Sequence, residues 1–175
     1  MTTQTKETQA ALSPEDALNL LKEGNQRFVS GQKTERSLLT QVKETCSGQY
    51  PFAAVLSCID SRVPVELVFD QGIGDIFNVR IAGNFVNDDI LGSLEFACKI
   101  AGSKIIVVLG HTSCGAIKGA CDEVKLGKLT GMLENLRPAV AGVHGKYLDR
   151  TSNNKQYVQD VAETNVKLTV KAIKE

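Results

Sequence analysis

No apolar run in this sequence reaches the roughly 20 residues that a bilayer crossing demands. Residues 1–12 are polar where a secretion signal would carry its apolar region. Charge imbalance is also absent, with twenty Lys and Arg set against twenty Asp and Glu. With no positive field to concentrate phosphates at the surface, neither nucleic acid nor membrane is expected as a partner. Internal repeats, low-complexity segments and a second domain are missing too. The expectation is a single cytoplasmic domain over residues 1–175, in which 42% hydrophobic residues suffice for one core.

Five cysteines form an odd set, and a reducing cytosol leaves them as thiols unless a metal claims them. Cys46 lies in a polar, exposed-looking stretch, and Cys98 reads as core filler on the apolar face of a helix. Cys58 and Cys114 differ. Each follows an apolar strand, and each stands within a few residues of another side chain able to bind metal.

Ser13-Pro14-Glu15-Asp16 combines an N-cap serine, a first-turn proline and an acidic third helical residue, opening a helix that Gly31 can close. Three short apolar runs, 52–57, 75–81 and 104–109, have strand length and look buried on both faces. Helical patterns lie between them at 64–70 and 88–101, where Ile90, Leu94, Ala97, Cys98 and Ala101 recur at helical spacing. Alternating strands and helices predict an α/β fold with a central, mainly parallel sheet flanked by helices. Residues 1–31 form an N-terminal helical arm, and 52–125 form the core that carries the site. Residues 115–125 read as a helix, followed by a polar, glycine-containing connection and a last amphipathic helix over 156–174. No strand follows that helix, so the fold is expected to have a truncated C-terminal end.

Ligands of parallel sheets bind beyond the carboxyl ends of the strands, where Cys58 and His111 both fall. His111-Thr-Ser-Cys114 places an imidazole and a thiol three residues apart. Alone, such a pair is weak, because a loop histidine is commonly an ordinary polar residue. Cys58-Ile-Asp60-Ser-Arg62 adds a second thiol, and adjacent parallel strands would bring it towards His111 and Cys114. Two sulfurs and one nitrogen suit zinc and leave a fourth position open, as in catalytic sites. Asp60 is able to fill that position, and Arg62 to hold the carboxylate away from it through a forked pair, unless the two form only a surface ion pair.

The segments Cys58-Ile-Asp-Ser-Arg62, Asn78-Val-Arg-Ile-Ala-Gly-Asn84 and Gly110-His-Thr-Ser-Cys-Gly115 resemble, in the same order, the signature segments of β-class carbonic anhydrases. The resemblance implies one Zn(2+) per chain on Cys58, His111 and Cys114, with the catalytic dyad Asp60–Arg62 beside it. In the family's open form the carboxylate pairs with arginine, and in the closed form it ligates zinc. The implied reaction is reversible hydration of carbon dioxide to bicarbonate by zinc-bound hydroxide. Neither His144 nor any tyrosine is placed by motif for proton transfer.

By position relative to the family, Gln49 matches a substrate hydrogen-bond donor. Phe77, Ala82 and Phe96 match residues lining the pocket, and Gly115 offers a backbone N–H. Ordinary core packing is the competing reading of Phe77 and Phe96. The family's pocket forms between subunits, so the resemblance implies a homodimer or higher homo-oligomer, with Gln49 of one subunit reaching the zinc of the other. Some bacterial members hold regulatory bicarbonate beside a tryptophan three residues before the first zinc cysteine. This chain has Val55 there and no tryptophan anywhere, which leaves Arg80 for a structural pairing, for example with an acidic residue. Two alternatives stand beside hydration. One is hydrolysis of another linear substrate, carbon disulfide or carbonyl sulfide. The other is a zinc-stabilised protein that is catalytically silent or senses bicarbonate, which the missing last strand would favour.

Overall fold

A computed structural model describes residues 3–143 and 145–175, so His144 lies outside the described residues. The chain begins with α1 (Lys6–Ala11) and α2 (Pro14–Ser30). The expected capping box opens α2: Ser13 accepts from the Asp16 amide, and the Asp16 carboxylate accepts from the Ser13 amide. Gly31 closes it in the left-handed conformation. Then come α3 (Leu38–Glu44), β1 (Ala53–Ser57), the single turn α4 (Val65–Val68) and β2 (Ile76–Arg80). Next is α5 (Asp88–Glu95), which runs on as a π-helical turn, Phe96–Ile100, before β3 (Ile105–Leu109). The remaining helices are α6 (Gly115–Cys121), α7 (Gly127–Glu134), α8 (Arg137–Gly142) and α9 (Lys155–Lys174). Among the described residues no helix is long and apolar enough to cross a membrane.

The three strands lie in the order β2-β1-β3. Phe52 N–H donates to Asp75 O beside one end of β1, and Ile81 N–H donates to Ser57 O at the other. The paired numbers rise together, so β1 and β2 run in the same direction. The sheet is parallel with flanking helices, as the alternation predicts. The expectation of full burial holds for the central strand alone. Every residue of β1 is buried, whereas β3 and all of β2 beyond Ile76 are half-buried, because among the described residues each has a neighbour on one side only.

Other expectations are corrected. The helix from Gly115 ends at Cys121 rather than near Lys125, because Glu123 turns left-handed (φ 53°). Its N–H donates to Ala120 O, and that of Val124 to Gly119 O, a Schellman closure. The stretch read as a polar connection contains α7 and α8. Cys98 is half-buried rather than core, since the extra residue of the π turn rotates it off the face that Ile90, Leu94 and Ala97 bury.

The residues divide into two compact units, each built from several chain segments. The first comprises Met1–Leu56, Arg62–Val79 and Asp88–Val107. Within it, Gln9 donates to Pro51 O and Ala101 O, and Asn25 donates to Val68 O. Its most concentrated polar contact is Asp70, only 4% exposed. Asp70 accepts from Arg27 Nε and Arg36 Nη1 at 2.6 Å each and from Thr34 Oγ1 at 2.8 Å.

The second unit comprises Ser57–Ser61, Arg80–Asn87 and Val108–Glu175. Its core joins Phe85, Ile117, Leu133, Leu136, Val143, Tyr157 and Val161, to which α6, α7, α8 and α9 all contribute. A largely apolar groove of about 350 Å³ runs between Val108–His111 and α9, with Ala162 and Val166 on its helical wall.

Burial alone would raise the pKa of Asp70, but the bonds from Arg36, Arg27 and Thr34 outweigh it and hold the carboxyl well below its ordinary range. A depressed carboxylate contributes stability that is complete above the unfolded pKa of about 3.9 and is lost as pH falls through the folded value. Asp70→Asn is therefore expected to cost about 3–5 kcal/mol at pH 7. In urea titrations the gap from wild type should narrow steadily below about pH 4; a gap independent of pH would refute this role.

Candidate metal centre

Two strand ends and one tight turn build the site. Cys58 is the first residue after β1, and His111 follows β3 by two. Between His111 and Cys114 the chain reverses through Ser113, whose φ of 56° lies in the sparsely populated left-handed region. That turn brings the imidazole and the Cys114 thiol back to one point. Cys58 Sγ and Cys114 Sγ stand 3.9 Å apart. Together with His111 they offer three ligand atoms, all within 4.8 Å of one another.

The donor set fits a tetrahedral metal ion. Two thiolates at the usual zinc–sulfur distance of about 2.3 Å stand about 3.8 Å apart around a tetrahedral centre, close to the spacing found here. His111 Nδ1 lies 3.0 Å from Thr112 O, which places the ring proton on Nδ1 and leaves the Nε2 lone pair free. Nε2 is buried and has no hydrogen-bond partner among the described residues. A buried polar atom in that condition calls for a ligand.

Electrostatics points the same way. The Cys58 thiol is pulled well below the ordinary thiol range, chiefly by its hydrogen bond with Cys114, while burial opposes the shift and the Gly83 amide assists it. Cys114 is pushed up by the same bond and by its own burial, against the Ile117 and Ala116 amides. Both shifts have one origin, two buried sulfurs facing each other, and a bound cation would satisfy both.

Asp60 is less enclosed than the sulfurs: its side chain is 17% exposed, and Oδ2 lies 3.9 Å from His111 Nε2. Arg62 is exposed in the turn that follows. Arg80 makes a structural pairing, though with backbone carbonyls rather than with an acidic residue. Its Nε donates to Cys58 O at 2.8 Å and its Nη2 to Asp60 O at 2.6 Å, so the guanidinium clamps the backbone that carries both side chains. A further contact had no signal in local sequence pattern: Gly83 N–H donates to Cys58 Sγ at 3.4 Å. Glycine is required at 83, where φ is 84° and a Cβ would meet Leu136 Cδ1 at 2.8 Å.

The other predicted site residues fall in separate places. Ala82 and Gly115 belong to the second unit, with Gly115 exposed as the first residue of α6. Gln49 is exposed in the first unit, where Phe77 and Phe96 also lie. The two rings meet edge to face with centroids 6.3 Å apart, and Phe96 remains 53% exposed, more than core packing would leave.

Residues 53–175 match the family described as carbonic anhydrase. The chain belongs to the carbonic anhydrase family. It is similar to carbonic anhydrase 2 of Mycobacterium tuberculosis, with 41% identity over 134 residues covering 73% of this chain and 65% of that protein. The chain thus spans just under two thirds of that relative's length. A shorter similarity, 36% over 77 residues, covers 41% of this chain and 36% of the carbon disulfide hydrolase of Acidithiobacillus thiooxidans. Among solved structures, the β-carbonic anhydrase CafA of Aspergillus fumigatus superposes with a TM-score of 0.70 at 28% identity, covering 91% of this chain and 74% of that one. Fold and family therefore agree with the resemblance carried by the three sequence segments.

Both cysteines must be thiolates to bind metal, so divalent metal affinity should rise with pH between about pH 6 and pH 8. Calorimetric titrations across that range measure it, and an affinity independent of pH would contradict thiolate ligation. Cys114→Ser should abolish stoichiometric binding; a variant that keeps its full metal content would remove Cys114 from the ligand set.

Proposed function

We propose that this chain is a zinc enzyme that reversibly hydrates carbon dioxide, turning carbon dioxide and water into bicarbonate and a proton. The observation that carries this reading is the convergence of Cys58, Cys114 and His111 Nε2, which has no hydrogen-bond partner among the described residues, with a carboxylate oxygen 3.9 Å from that nitrogen. Cys58, His111 and Cys114 hold one zinc ion, which supplies the Lewis acidity that makes water nucleophilic near neutral pH.

Asp60 acts at the attacking water, accepting its hydrogen bond and orienting its lone pair towards the carbon of the substrate. Arg62 would hold the Asp60 carboxylate in this open arrangement, and without that pairing Asp60 would be available as a further ligand to zinc. Arg80 keeps the 58–60 backbone in place in both states through its two carbonyl bonds. Carbon dioxide is apolar, so its pocket is mainly apolar; the family resemblance assigns Phe77, Ala82 and Phe96 to its lining and Gln49 and the Gly115 N–H to its polar contacts.

This arrangement works in a homodimer or higher homo-oligomer, in which Gln49 of one subunit serves the site of the other. Exposed apolar side chains of the first unit, including Leu38, Leu39, Phe96 and Ile100, support such an assembly. Five free cysteines, two of them needed as thiolates, suit the reducing cytoplasm. Hydrolysis of carbon disulfide is a second reading, favoured by the similarity to a carbon disulfide hydrolase.

Stopped-flow hydration of carbon dioxide by zinc-loaded protein should exceed the buffer rate. Asp60→Asn should lower it by about 100-fold or more while zinc content is retained. Zinc-loaded wild type with no hydration above buffer would sink the proposal, and sulfide release from carbon disulfide in the same preparation would select the second reading.

A further inference from the structure

The buried face of α9 changes character along its length. Tyr157, Val158, Val161 and Ala162 give it an apolar half, yet the same face continues through Asn165 and Thr169, 3% and 4% exposed. Burying an amide and a hydroxyl in a helix stripe costs free energy unless each finds a partner. Both find one, and in the same place. Asn165 Nδ2 donates to Gly83 O at 2.7 Å, and Thr169 Oγ1 donates to Asn84 O at 3.3 Å. These are consecutive carbonyls of a single turn.

That turn is costly to form. Gly83 and Asn84 are both left-handed, with φ of 84° and 40°, and a non-glycine residue at Asn84's φ is disfavoured. Its own closure is one bond, Asn84 N–H to Ile81 O at 2.9 Å. The grip from α9 supplies what the turn lacks. On the other side of the same residue, Gly83 N–H points at Cys58 Sγ, 3.4 Å away. The Gly83 residue is thus held at its carbonyl by α9 and presents its N–H to a candidate metal ligand.

We infer that Asn165 is a positioning residue of the metal centre: through the Gly83 carbonyl it aims the Gly83 N–H at the Cys58 thiolate and so sets that sulfur's donor strength towards the metal. An N–H donor draws charge from a thiolate, and groups that orient a ligand from outside the coordination sphere are a principal control on metal affinity. The inference rests on Cys58, His111 and Cys114 binding one metal ion.

Cobalt(II) tests it without recourse to activity. Metal-free protein loaded with cobalt(II) should show thiolate-to-cobalt charge-transfer absorption. In Asn165→Leu, which keeps the branching at Cγ but loses the donor, the band should move to lower energy, because the unbonded sulfur gives up charge more easily. Because Cys58 also loses the contact that orients it, metal affinity should weaken by about tenfold despite the stronger donor. Val161→Ala, a core truncation on the same helix, controls for loss of stability and should leave the band in place. An unshifted band in Asn165→Leu, with full cobalt content, overturns the inference while leaving the metal centre intact. Absence of charge-transfer bands in the wild type overturns the metal centre itself. A measurement free of any variant keeps the question open to refutation if the leucine variant fails to fold. In wild-type protein loaded with a spin-one-half cadmium isotope, the Gly83 amide proton should show scalar coupling to the metal across Cys58 Sγ, and no coupling at Gly83 would overturn the inference.

Discussion

Two sulfur atoms sealed from water at 3.9 Å cannot both carry charge unless a cation stands with them. Their contact draws the Cys58 thiol down and pushes the Cys114 thiol up. Most of the local architecture serves to keep them at this separation. β1 delivers Cys58 into a fully buried position, Ser113 adopts a rare backbone conformation to return Cys114 towards His111, and Arg80 pins the carbonyls on either side of Ile59. The backbone cost of Ser113 and Asn84 is of the kind that persists where surrounding structure over-determines it.

The enclosure is uneven. Cys58 and Cys114 are 3% and 1% exposed, whereas the Asp60 side chain retains 17%. The sulfurs therefore form a closed floor, and the carboxylate stands at the more open side. This asymmetry suits a centre that must exchange small molecules on one face and retain its ligands on the other.

Sequence disclosed the ends of strands better than the surfaces of strands. Apolar runs followed at once by Cys58 and, after Gly110, by His111 placed both residues beyond a sheet, and the capping box of α2 was legible because its partners are three residues apart. Burial of β2 and β3 was overstated, since an apolar composition reports what a strand can bury and not how many neighbours it has. The helices α7 and α8 were hidden by Gly127, Gly131, Pro138 and Gly142, although Leu129, Leu133, Leu136, Ala139, Val140 and Val143 carry a helical spacing. A π turn displaced Cys98 without any mark in composition. Contacts such as Gly83 N–H to Cys58 Sγ join distant backbone and sulfur and leave no periodic trace; a buried asparagine within the apolar stripe of α9 was the readable sign that something there needed a partner.

The contacts that shape the centre span long stretches of chain: Cys58 to Cys114 across 56 residues, Gly83 to Asn165 across 82, and Asn84 to Thr169 across 85. Loops of this length are slow to close and close late, after local helices have formed. During synthesis the ligand side chains emerge well before α9, so for that interval Cys58, His111 and Cys114 lack the turn that orients one of them. On the proposed reading, durable metal capture waits until α9 has docked on the Gly83 turn, and the ion acts as a seal on folded structure rather than a nucleus around which the chain collapses.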